Sequence, residues 1–219
     1  MTNSIEFRKA NLQDIDFIIE TIFAAEKSGT DRLSYSTIFG IQESELLKLF
    51  QEMLAEDIDG QELSISTFMI AEIDQQYAGA CSAWVEGIYG DSSILKANLL
   101  SYYLPPEKLI LENALKEALS EMHLARTKNT IQIESVYVRN NFRGKGIVQQ
   151  IIEKQIQYLK QEFNFVNSAE IIVAMNNESA LKAYQKMGFE ICKESSTHFE
   201  KILSFLPSNK RVILQKILS

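Results

Sequence analysis

The chain of 219 residues can form one large domain or two small ones. Apolar residues at 46% and charged residues at 23% describe a soluble globular protein and argue against collagenous, disordered and coiled-coil classes. Lys+Arg 22 against Asp+Glu 29 gives a net charge of −7. That balance lacks the basic excess that tracks a nucleic-acid backbone or an anionic membrane, so neither is expected as a partner.

Residues 1–10 are polar and alternating, without the apolar core or small-residue cleavage site of a secretory signal. No apolar run approaches the roughly 20 residues needed to cross a bilayer, and cytoplasmic residence is the expectation. Residues 4–9 alternate like a short strand, and Asn11 opens a run with Ile15, Ile18, Ile19, Ile22 and Phe23 at helical spacing. A polar stretch over 28–40 follows. Ser44 then precedes Leu46, Leu47, Leu49, Phe50, Met53 and Leu54, a second amphipathic helix ending near Gly60. Residues 65–73 and 76–86 read as an antiparallel hairpin around a tight polar turn at Asp74 and Gln75.

Within 88–130, Pro105 and Pro106 stand ahead of a run in which Leu111, Leu115, Ala118, Leu119 and Met122 share one face, which suggests a helical insertion with its helix starting at the prolines. Strands are expected over 131–138, 169–175, 188–195 and 210–218, with helices from 146 to 163 and from Asn177 to Met187. Without repeats or a Pro/Gly/Ser-rich linker, residues 1–219 read as a single α/β domain of the α+β type. Cys81 and Cys192 are too few and too far apart for a disulfide framework or a four-ligand zinc site; both are expected to be buried thiols, and no metal is expected. His123 and His198 are assigned to surface or loop positions, and Trp84 with Tyr77 to the core or a pocket wall.

The most informative stretch is ESVYVRNNFRGKGIV, residues 134–148, a strand running through a basic, Gly-containing loop into a helix. Unpaired N–H groups at a helix start converge on a point that suits a phosphate. Gly144 and Gly146 let the backbone approach closely, and Arg143 and Lys145 add positive charge. The loop lacks GxxxxGK[ST], and Gln149 stands where a third glycine would complete GxGxxG. An ordinary strand-to-helix turn with solvated basic side chains is the alternative. The second stretch is VAMNNESALKAYQKMGF, residues 173–189: a strand, an Asn cap, a helix carrying Tyr184, and a Gly-Phe exit.

Together these segments resemble the GCN5-related N-acetyltransferase (GNAT) superfamily. The first is similar to its R/Q-x-x-G-x-G/A motif and the second to N-x-x-A-x-x-x-Y-x-K-x-G-F. The resemblance implies a mixed, mostly antiparallel central sheet with helices on both faces and a V-shaped splay between the fourth and fifth strands. It implies acetyl-CoA as cosubstrate, with backbone around Val136, Tyr137 and Val138 bonding the pantetheine arm. The Arg143, Gly144, Lys145, Gly146, Ile147 and Val148 amides would hold the pyrophosphate. Asn177 would touch the cofactor arm besides, or instead of, capping its helix, and Tyr184 would be the general acid at the thioester sulfur or a packed aromatic. Two residues depart from the pattern: Val148 stands where the family has Gly or Ala, and Asn140 where Pro is frequent.

Direct transfer to an amine needs that amine neutral, which for an alkylamine at pH 7 costs about 4.6 kcal/mol unless a base or a desolvated pocket helps. Glu134 shares strand parity with Val136 and Val138, so it faces the acyl site as base or is an exposed strand carboxylate. The implied activity is transfer of an acetyl group to a primary amine of a small molecule or protein. The alternative is a non-catalytic module that binds acetyl-CoA as a sensor. Acceptor walls are expected from 29–42 and the insertion, with Tyr102, Tyr103 and Leu104 as contacts; otherwise the insertion would pack against a second copy in a homodimer.

Overall fold

The computed structural model describes residues 4–218. Seven strands form one sheet: β1 (Glu6–Lys9), β2 (Phe68–Ile73), β3 (Gln76–Val85), β4 (Ile131–Val138), β5 (Ser168–Ala174), β6 (Glu190–Ser196) and β7 (Lys210–Ile217). Their order is β1-β2-β3-β4-β5-β7-β6, and every neighbouring pair is antiparallel except β4 with β5. Asp74 and Gln75 turn the β2–β3 hairpin with φ of 51° and 61°, the left-handed pair that matches strand twist.

Helices α1 (Ile15–Lys27), α2 (Ser34–Phe39), α3 (Glu43–Ala55), α4 (Ser92–Tyr103), α5 (Asn113–Glu121), α6 (Ile147–Glu162) and α7 (Glu178–Lys186) cover both faces. On one side Ile151 and Ile152 of α6 and Leu181 and Tyr184 of α7 pack on Ile131, Ile133 and Val138. On the other, Phe17 and Ile18 of α1, Phe50 of α3 and Leu99 of α4 pack on Phe68, Ile70 and Ala80. Each strand is therefore apolar on both faces where helices cover it, and burial of these side chains drives the assembly at roughly 25 cal/mol per Å² of apolar surface. No described helix is long and apolar enough to cross a membrane.

The insertion differs from its expected form. Pro105 and Pro106 start no α-helix: Pro106–Leu109 is a single 3-10 turn and α5 begins at Asn113. Two helices are absent from the sequence reading, α2 within the polar stretch and α4 within the insertion; α4 is capped by Asp91, whose carboxylate accepts from the N–H groups of Ser93 and Ile94 at 2.9 and 3.2 Å. Only Ser92, Leu99 and Leu100 of α4 are buried while Ile94 is exposed, so no apolar stripe advertises it. The apolar face of α5 is covered by this chain itself, with Leu115, Ala118 and Met122 against Ile202 and Leu206 of the β6–β7 connection. Cys81 is buried as expected, but Cys192 is exposed, because β6 is an edge strand with a register shift at that point. Both histidines are exposed, and Trp84 is buried.

A polar hub fastens the first strand. Asp14 is fully buried and takes Nη1 and Nη2 of Arg8 at 2.7 and 2.8 Å, the Tyr77 hydroxyl at 2.8 Å and the Asn11 N–H at 2.8 Å. Burial opposes its charge, but the Arg8, Asn11 and Tyr77 donors outweigh burial and hold the carboxyl below its ordinary value. A carboxyl depressed in the folded state adds stability above the unfolded pKa of about 3.9 and loses it as pH falls through the folded value. Asp14→Ala should cost about 3 kcal/mol at pH 7, the lower end for breaking a buried pair because water can reach Arg8. Urea unfolding should show that gap closing below about pH 4.

Candidate active site

The cleft originates in a β-bulge. Ala80 pairs with Tyr137 and Ser82 with Glu134, so Ser135 and Val136 both stand opposite Cys81. Ser135 has φ 49°, the left-handed region a non-glycine residue adopts at a cost. The parallel pairing of β4 with β5 runs from Ile131↔Ala169 only to Ile133↔Ile171. Beyond it the β5-facing backbone groups of β4 have no strand partner, which is the expected splay. The extra residue also inverts strand parity. Ile131 and Ile133 before the bulge share the α6 face with Val136 and Val138 after it, whereas Tyr137 packs with the α1 side. Glu134 therefore does not share a face with Val136 and Val138; simple alternation fails at Ser135.

From the opposite side, Gln155 of α6 reaches the bulge. Its Nε2 donates to the backbone carbonyls of Cys81 and Thr67, both at 2.8 Å. The bulge and the helix behind it are thus bonded directly.

The splay opens a cavity of about 200 Å³ bounded by Glu134 and Val136 of β4, Asn177 and Tyr184 at α7, and a group of charged side chains. Three are carboxylates, Glu26, Glu62 and Glu134, and three are cations, Lys96, Arg126 and Arg211. Glu62 accepts from the Tyr35 hydroxyl and from Lys96 Nζ, each at 2.8 Å, and lies 3.6 Å from Arg126. Burial opposes the Glu62 charge, yet Lys96 and Arg126 push its carboxyl down to about 2. Arg126 Nη2 donates to Glu134 at 2.8 Å while its guanidinium lies 5.3 Å from the Trp84 ring centre. Burial raises the Glu134 carboxyl against the pull of Arg126, and Glu26 is raised by burial and by the charge of Glu62.

Tyr184 is buried with its ring edge-on to Phe189, and no hydrogen bond holds its hydroxyl among the described residues. Burial first, then the neighbouring Cys81 and Glu134, push the phenol well above its ordinary value. Asn177 caps α7, with Oδ1 accepting from the Ala180 N–H at 3.2 Å and from the Ser179 hydroxyl at 3.0 Å. That use of Oδ1 leaves the amide nitrogen for the cavity, so the cap and a ligand contact are compatible.

At the far end of the splay, Gly144 and Gly146 have φ of 78° and 73° and are exposed. Gly146 is the N-cap of α6, and the first bond of that helix runs from Gln150 N–H to the Gly146 carbonyl at 3.1 Å. The N–H groups of Ile147, Val148 and Gln149 thus precede any helical acceptor. A Cβ on Gly144 would meet nothing within 4 Å, so the concavity is open. Arg143 donates to the Val138 carbonyl, Lys145 lies over the Phe142 ring, and neither is in an ion pair among the described residues. Val148 packs against the core on the α6 side, so its branches turn away from the loop concavity.

The structure brings Glu134, Val136, Asn177 and Tyr184 around one cavity and sets residues 143–148 at the start of α6. Tyr137 and Val138 continue β4 beyond the bulge. Of the expected acceptor contacts, Tyr102 is exposed, Tyr103 donates to Glu56 and Leu104 is buried with α1 and α3; none lines the cavity. The insertion instead contributes Lys96 and Arg126, and the segment after α1 contributes Ser28 and Ser34. Glu26 and Arg211 escaped sequence reasoning because the patterns of α1 and β7 report only their apolar sides, and Glu62 because it lies in the loop between α3 and β2, which has no periodicity.

A family model described as the acetyltransferase (GNAT) family matches residues 35–189. An uncharacterized N-acetyltransferase of Methanocaldococcus jannaschii is 32% identical over 63 residues, 29% of this chain, and the match spans only 27% of that relative's length. Among solved structures, an N-acetyltransferase from Staphylococcus aureus Mu50 superposes with a TM-score of 0.58 at 18% identity, covering 96% of this chain and 100% of its own. The PaiA N-acetyltransferase of Thermoplasma acidophilum, in complex with coenzyme A, superposes with a TM-score of 0.52 at 15% identity, over 98% and 99%. At these identities the likeness is one of fold.

The charge network makes a prediction independent of any ligand. Arg126→Gln removes the cation that opposes burial at Glu134, so the Glu134 carboxyl should titrate at still higher pH. Carboxyl-carbon NMR titration reads the midpoint, and an unmoved Glu134 would show that the ion pair does not control it.

Proposed function

The chain belongs to the GNAT acetyltransferase family, and on that premise we propose that it transfers the acetyl group of acetyl-CoA to a primary amine within a ternary complex. One observation carries the reading: where β4 leaves β5, a single cavity collects Glu134, Asn177 and Tyr184. The residues fit the cosubstrate. Unbonded α6 amides and two left-handed glycines suit the pyrophosphate, with Arg143 and Lys145 adding charge. The β5-facing edge of β4 through Val136, Tyr137 and Val138, where the Val138 carbonyl already accepts from Arg143, offers backbone groups of an added strand to the pantetheine arm.

When bound, acetyl-CoA supplies an acyl group activated as a thioester. Glu134, its proton affinity raised, receives the proton the amine gives up. The new N–C bond forms as the C–S bond breaks, and the Tyr184 hydroxyl donates to the departing sulfur. A phenol is protonated at neutral pH even at its ordinary value; pushed further up, Tyr184 holds its proton and serves the departing sulfur as hydrogen-bond donor. The thiolate takes its proton from solvent and Glu134 returns the amine's proton there, so the steps balance. The raised Glu134 implies a rate that falls as pH drops through its carboxyl value.

Tyr184→Phe should lower the rate of a chemistry-limited reaction by about 10²- to 10⁴-fold, leaving CoA affinity within about threefold. Thiol release with an amine panel, alongside calorimetry with CoA, checks both halves. Unaltered turnover would give the donor role at the sulfur to another group, and tight CoA binding with no amine-dependent thiol would leave a binding module. Gly146→Asp should abolish CoA binding by placing negative charge against pyrophosphate, whereas Gly146→Ala, which meets only the left-handed strain, should retain part of it.

A further inference from the structure

The charged groups around the cavity are not all satisfied by one another. Glu62 is held by Tyr35, Lys96 and Arg126, and Glu134 by Arg126. Two groups of opposite sign remain. Glu26, in the last turn of α1, lies beside Ser34, and Arg211 stands near the start of β7. Neither takes part in an ion pair among the described residues. Their charges nevertheless act on each other, since Arg211 opposes the burial that raises Glu26.

Their placement spans the splay. Glu26 comes from the helix packed over β4, and Arg211 from the strand paired with β5, opposite Ala174. A cavity of about 200 Å³ falls below the roughly 300–1,000 Å³ of pockets for drug-sized ligands, so the acceptor end suits a small molecule. A lone amine would leave Arg211, half-buried at the cavity wall, without an anion, and such a cation favours a carboxylate in the bidentate geometry guanidinium provides.

We propose that the acceptor is a small amine that also carries a carboxylate, a free amino acid or a similar zwitterion, with its nitrogen against Glu26 and its carboxylate on Arg211. This rests on the acetyl-transfer reading and adds the substrate class. Glu26 and Arg211 are then specificity residues: one orients the nitrogen toward the acyl position, and the other selects the acid group and rejects amines that lack it.

The test compares amino acids with their own carboxamides and methyl esters, which keep the amine and side chain but lose the negative charge. Thiol release from acetyl-CoA gives kcat/KM, and calorimetry on the CoA-saturated full chain gives acceptor binding without turnover. Amino acids should exceed their amides at least tenfold in both readouts. Arg211→Gln should bring that ratio near unity, and Arg211→Lys should restore part of it. Glu26→Gln should weaken acid and amide alike. Amides bound and used as well as the acids, a ratio unmoved in Arg211→Gln, or no binding by either set would overturn the substrate class. Preferential binding of the acids with no thiol release would uphold the clamp while overturning acetyl transfer, and thiol release indifferent to the acid group would do the reverse.

Discussion

Everything at the cleft depends on where the parallel ladder between β4 and β5 stops. The bulge opposite Cys81 bends β4 after Ile133, and no further pair with β5 forms. Had the ladder continued through Val138, its hydrogen bonds would have consumed the backbone groups that now face open space, and the cavity would be closed by packed strands. Holding Ser135 at positive φ costs on the order of 1–2 kcal/mol. The surrounding structure outweighs that cost: β3 pairs with β4 on both sides of the bulge, and Ile131, Ile133 and Val138 are buried against α6 and α7.

One small volume holds three carboxylates. Burial alone would protonate all of them, since removing an anion from water costs several kcal/mol without a partner. Glu62 stays charged because two cations and a phenol converge on it, and its persistent charge then helps push Glu26 in the opposite direction. Burial works against the charge of Arg126, but Glu134 and Glu62 outweigh it. The result is an ordered set of proton affinities in one pocket, low at Glu62 and raised at Glu134 and Glu26. The cations that impose this order come from the insertion, so α4 and the loop after α5 shape the chemistry of β4 from a distance in sequence.

Much of this was legible in the sequence. The strands, α1, α3, α6 and α7 follow from apolar spacing, and the 143–148 loop with residues 177–189 announces a glycine-containing helix start and a capped helix carrying a tyrosine. What the sequence withheld has identifiable causes. Residues 131–138 carry apolar side chains at 131 and 133 and then at 136 and 138, a change of phase at Glu134 and Ser135 that marks the bulge, whereas parity counted back from Val136 carries Glu134 to the wrong face. The α4 helix has no clean stripe because it lies over a charged pocket and sends Lys96 inward. The partner of α5 is a turn eighty residues later, and no local pattern names it. Long-range electrostatic pairing, such as Lys96 with Glu62, has no periodicity at all.

The Gln155 side chain gives the molecule one more property. It ties α6, whose start carries the glycine loop, to the carbonyls of Cys81 and Thr67 beneath the bulge. The two ends of the cleft are therefore braced to a common beam, and the spacing between them is fixed before anything enters. Under the acetyl-transfer proposal the cleft would then act as a ruler: a linear ligand held at the loop would reach Tyr184 only with an arm of matching length, and reach alone would select among activated acyl carriers.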